Sequence, residues 1–149
     1  MTDMSVNISG GADILRRLKR LQAGIKIQVI GKMLQATGNQ VEALVKVRIT
    51  DEDLVDTGFM RSSVYVSTHQ ESGFGSARSA ASSRNPKAEM GAEAKPRNEY
   101  EALVVVGADY AAYVENDHPF FRPVIDESTD ELLELAANTA ARVIAELVK

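Results

Sequence analysis

From Ile14 onward, Leu18, Leu21, Ile25, Val29 and Met33 recur at spacings of three or four residues, while Arg16, Arg17, Lys19 and Arg20 fall on other faces. The stripe resumes through Leu34, Val41, Leu44, Val45 and Ile49. This period predicts a long amphipathic helix with Asp13 as its cap, although Ile25-Lys26-Ile27-Gln28-Val29 taken alone alternates like a strand. Gly24, Gly31 and Gly38 return at a fixed interval along it, at a cost of about 1 kcal/mol each relative to Ala. Two readings stand side by side: another helix approaches closely, including one from a neighbouring subunit, or the glycines break the segment into pieces. Ahead of the helix, Met4 to Ser9 alternates apolar and polar residues and ends at Gly10-Gly11, so residues 1–11 read as a short strand or an arm.

The helical pattern stops at Asp56-Thr57-Gly58, a turn in which Asp can cap its own backbone and Gly accepts positive φ. Arg61 leads into a strand running roughly from Ser62 to His69, and a second strand covers Glu101 to Val106 before Gly107. Between them, residues 70–98 are rich in Gly, Ser, Ala and Lys/Arg, include Pro86 and Pro96, and show no period. They predict a long flexible loop with no hidden element. After Gly107, Asp109 is placed to cap a short helix whose Tyr110, Tyr113 and Val114 share one face, with both tyrosines expected in the core. His118-Pro119-Phe120-Phe121-Arg122-Pro123 follows as a stiffened segment. A last helix then carries Ile125, Leu132, Leu133, Ala136, Ala140, Val143, Ile144, Leu147 and Val148 as a broad apolar face. Acids at 126, 127, 130 and 131 favour its N-terminal end, and Ser128 with Glu131 offers an alternative start. The class is α+β in a single domain over 1–149: a long or broken N-terminal helix, a small antiparallel sheet with a long inserted arm, a short helix and a C-terminal helix. Two strands alone make a marginal sheet, so its edges call for cover by helices or by a neighbouring subunit.

Composition narrows the chemistry. A chain of 149 residues buries roughly 70% of its unfolded surface and needs no staples. It has no cysteine, which removes thiol catalysis and thiolate metal sites and fits a reducing compartment. His69 and His118 lie in unrelated segments without metal-ligand spacing, so no metal or cofactor is expected. The apolar stretches are short and interrupted by charge, and no membrane partner is expected. A net charge of −4 argues against a protein that grips nucleic acid as a whole, since such affinity comes from neutralising phosphates.

The candidate functional residues are therefore contact residues. Phe120, Phe121 and Arg122 sit on the proline-framed segment, and one phenylalanine is expected in the core and the other at an interface. Arg78, Arg84 and Lys87 lie in an acid-free stretch of the arm, suited to phosphate or an acidic partner. Asp56, Thr57, Gly58 and Arg61 are assigned to the hinge, with Asp56 paired to Arg61. A rival reading takes Leu54-Val55-Asp56-Thr57-Gly58 as the catalytic turn of a dimeric retroviral-type aspartic protease, in which each subunit supplies one Asp. Against it stand the helical half of the chain and the bulk of Phe59. A third reading, a small nucleic-acid-binding module, rests on Arg16, Arg17, Lys19, Arg20 and the arm.

Several pieces in this order resemble the tail-component and neck proteins of long-tailed bacteriophages: the N-terminal helix, Asp56-Thr57-Gly58 with Met60-Arg61-Ser62-Ser63, Val104 to Gly107, Tyr110-Ala111-Ala112-Tyr113-Val114-Glu115, and Pro119 to Ile125. Asn116-Asp117 stand where such proteins usually carry a Gly-Thr turn. The resemblance implies a structural virion protein at the head-tail junction and no enzymatic activity. It also implies a homo-oligomeric ring of roughly six or twelve copies. Its expected partners are itself, neighbouring neck, connector and tail proteins, and DNA only as the passing genome.

Overall fold

The computed structural model describes residues 11–54 and 56–147. The expected strand or arm at the N-terminus lies outside them. Helix α1 (Gly11–Asp51) is continuous, about 60 Å long, and neither the alternation at Ile25–Val29 nor the glycines interrupt it. Close approach is the reading that holds at Gly38, where an added Cβ would meet Val66 Cγ1 at 2.7 Å. The approaching element is a strand of the same chain, not a helix. Gly24 meets nothing within 4 Å.

Two short elements follow α1: α2 (Phe59–Ser62) and β1 (Val64–Thr68). The first turn after the hinge is thus helical, where strand was expected from Ser62. The sheet is completed by β2 (Ala102–Val106), antiparallel to β1 with Val64 opposite Val106 and Thr68 opposite Ala102. Between the strands lies α3 (Phe74–Arg84), which corrects the expectation of an element-free loop over 70–98. Its period is hard to read because the buried positions are Ala77 and Ala81, whose small side chains let the helix pack closely while adding little to any hydrophobic stripe. The rest of the arm is anchored too: Tyr65 is buried, its ring meets Phe74 edge-on at 5.5 Å, and its hydroxyl accepts from Ala94 N at 3.0 Å.

The chain ends in α4 (Ala111–Asp117) and α5 (Phe121–Leu147). Because α5 starts at Phe121, Ser128 is interior and the alternative start is not used. Helices α1 and α5 run antiparallel, linked by Arg48 with Glu127 and by Gln40 with Glu131. Val41, Val45 and Ile49 of α1 share the core with Phe59, Met60, Val64, Phe120, Val124 and Leu132. The expected broad face of α5 is narrower in fact: Val124, Leu132, Thr139 and Val143 are buried, while Leu133 and Ile144 are exposed. The α+β class stands, with α1 against one face of the sheet and α3 against β1.

Candidate interaction surface

The hinge is built by backbone geometry. Gly58 has φ 84°, a left-handed conformation that glycine adopts without strain. Thr57 Oγ1 accepts from Phe59 N at 3.3 Å, and Arg61 Nη1 donates to Thr50 Oγ1 at 3.1 Å, tying α2 back to α1. Arg61 therefore has Thr50 as its partner; among the described residues the expected pairing with Asp56 is not formed, and Asp56 is exposed. The Asp56-Thr57-Gly58 turn joins two helices, whereas an aspartic-protease turn lies between strands. Ser63, buried and given no role above, is the joint of the region. Its Oγ donates to Met60 O at 2.7 Å and accepts from Ala108 N at 2.9 Å, and its carbonyl accepts from Gly107 N at 3.0 Å. One residue thereby fixes the end of α2 to the end of β2. A serine three residues after Met60 at the close of a helical turn was the available sign.

A second missed residue organises the other end. Glu115 Oε2 accepts from Phe120 N and Phe121 N, both at 2.9 Å, and Oε1 accepts from Arg122 N at 3.0 Å. A helix leaves four N-terminal amides without intrahelical partners; here three go to one carboxylate and the fourth position is Pro123, which has no N–H. The start of α5 is fully satisfied by a residue of α4. Burial acts to raise the Glu115 pKa, but the amides of Phe121, Phe120 and Arg122, with the Arg122 charge, outweigh it and leave the pKa below its ordinary value. The first residue of α4 follows Tyr110, and Asp109 supplies no side-chain cap.

The expected contact residues separate. Phe120 is 1% exposed and belongs to the core, so it is not an interface anchor; Phe121 is half-buried against that core, and Arg122 is exposed beside Asp126 at 3.8 Å. Arg78, Arg84 and Lys87 are all exposed and, among the described residues, in no ion pair. Arg84 comes to rest beside Gly58, and Arg78 borders a cleft with Phe59, Pro86 and Met90. The tyrosines also differ from expectation: Tyr110 leans on Phe59 with ring centres 6.3 Å apart but stays partly exposed, and Tyr113 is 79% exposed. Ala111 and Val114 supply the inward face of so short a helix, and Tyr113 points out. Among the described residues no cluster of acids and histidines is placed to hold a metal ion, and no helix is long and apolar enough to cross a membrane. What the surface offers is contact: Tyr113, Tyr100, Leu133, Val47 and the half-exposed strand β2.

Residues 12–116, well over half of the chain, match a family described as "Bacteriophage HK97-gp10, putative tail-component". No curated protein and no solved structure matches the chain.

Proposed function

The chain belongs to the HK97-gp10 family of bacteriophage tail components, and from that premise we propose that it is a ring-forming subunit of the head-tail junction, a neck or tail-completion protein that joins tail to head and lets the genome pass. The family is described as a bacteriophage tail component, which supports a structural role in the phage tail. The family match carries the reading. Three features agree with it. A two-stranded sheet with one half-exposed strand is short of partners. Exposed Tyr113 and Tyr100 are the kind of residue that anchors subunit contacts. A net charge of −4 suits a passage through which DNA slides without being held. Arg78, Arg84, Lys87 and Arg122, free of the core, are assigned to contacts with neighbouring neck, connector or tail proteins.

Immunogold electron microscopy of particles from the source lysate tests this, using an antibody whose epitope is shown to be accessible. Label is expected where head meets tail. Label along the tail tube or at its far end would remove the junction from the reading, and protein present in the lysate but on no particle would remove the virion role. Asp56→Asn gives a separate discrimination: joined particles are expected to form as usual, whereas a protease would lose the processing of its substrates.

A further inference from the structure

We propose that the outer edge of β2 receives a third strand, the Met4–Ser9 segment of a neighbouring copy of this chain. The proposal rests on the oligomeric reading above, because it needs a second copy.

The argument begins with the phase of the hydrogen bonds. Gly107 N donates to Ser63 O, and the register places Tyr65 opposite Val105 and Ser67 opposite Leu103. In an antiparallel pair, bonded and non-bonded positions alternate, so Ala102, Val104 and Val106 turn their amides and carbonyls away from β1. On β1 two of the equivalent outward groups are occupied: Val66 O accepts from Gly73 N at 2.8 Å, and Thr68 N donates to Glu71 O at 2.7 Å. On β2 no described residue takes them. All five residues of β2 are apolar and half-exposed, with none of the lysines or prolines that commonly guard a free edge.

The occupant follows from pattern and reach. Val6 and Ile8 alternate with Ser5, Asn7 and Ser9, which suits a strand with one face on α1 and the other in water. Val104 pairs with Val66, and Val66 lies against Gly38, so the middle of β2 is level with Gly38 on α1. From Gly11 to Gly38 the helix rises about 40 Å. The chain from Gly11 back to Met4, fully extended, covers about 25 Å at most. A subunit's own segment therefore falls short of the middle of its own β2, which assigns the strand to a neighbouring copy. Passed from each copy to the next, such an exchange is heterologous, the kind of contact that makes a ring when the rotation between copies closes.

The test uses the full-length chain and a double variant, Val6→Asp with Ile8→Asp, whose changes lie outside the described fold. Wild-type protein is expected to sediment as an oligomer. The variant is expected to associate at least roughly tenfold more weakly, with unchanged circular dichroism. Hydrogen exchange over residues 102–106 is expected to quicken roughly tenfold or more in the variant. An oligomer that tolerates both aspartates with this stretch still protected would mean that another strand, including β2 of a second copy, holds the edge, and would overturn the exchange while leaving the ring. A monomer whose edge is protected only in the wild type would mean that the chain's own segment reaches it. Wild-type protein that stays monomeric with an unprotected edge would overturn both readings together.

Discussion

Strands β1 and β2 have the same length, pair residue for residue and are both dominated by apolar residues, yet they live in different surroundings. In β1 the first four residues are buried; its outward carbonyl at Val66 is bonded, Gly38 lets α1 come close on one face, and Phe74 and Ala94 close over Tyr65 on the other. In β2 every residue is half-exposed, and the outward backbone groups have no partner among the described residues. Composition alone does not make a strand interior. Its neighbours do, and the difference separates what holds this subunit together from what it offers to others.

The largest effect that would test this contrast is at Tyr65. Tyr65→Ala is expected to destabilise by about 3–5 kcal/mol, measured by urea unfolding, whereas Val105→Ala, directly opposite on β2, is expected to cost about 1 kcal/mol. Equal costs would mean that the two strands are equally interior. Tyr65→Phe removes only the bond from Ala94, with faster hydrogen exchange at Ala94 as its signature.

Next comes the close approach on the sealed side. Gly38→Ala sets a Cβ 2.7 Å from Val66 Cγ1 and is expected to cost about 1–3 kcal/mol despite the better helix propensity of alanine. Gly24→Ala, with nothing within 4 Å, is expected to gain up to about 1 kcal/mol by the same thermal or urea measurement. A loss at Gly24 as large as at Gly38 would remove packing as the explanation.

Glu115→Ala is expected to cost about 1–2 kcal/mol, as loss of a helix cap does. Because the folded pKa lies below the ordinary value of 4.5, the contribution is present above that pH and is lost as pH falls through the folded pKa. Urea midpoints between pH 7 and pH 3 should therefore fall less for Glu115→Gln than for the wild type. The smallest effect on folding is on the open side: Tyr113→Ala should change stability by less than about 0.5 kcal/mol while lowering the yield of joined particles. A stability loss of several times that would put Tyr113 inside the fold.

The long helix, both strands and the two C-terminal helices were legible because each has a period or a punctuating residue: the stripe ending at Val41, Val45 and Ile49, the glycines at 58 and 107, and the prolines at 119 and 123. The helix α3 was not legible, since its inward face is made of Ala77 and Ala81, which look in sequence like any small-residue linker. Of the contact residues, the sequence places one of Phe120 and Phe121 in the core and the other outside it, and the structure assigns Phe120 to the core. Tyr113 lies outside the core expected for it because helical periodicity groups residues by face without stating how much of that face is covered.

The sequence by itself determined the α+β class, the order of the long helix, the two strands and the two C-terminal helices, the hinge at Gly58 and the family to which the chain belongs, all of which follow from local propensity and residue order. Only the tertiary structure decided which apolar residues are interior, that Gly38 admits β1, that Ser63 joins elements distant in the chain, and that no described residue pairs with the outer edge of β2. These depend on which backbone groups and side chains meet across the fold, and no local pattern encodes that meeting.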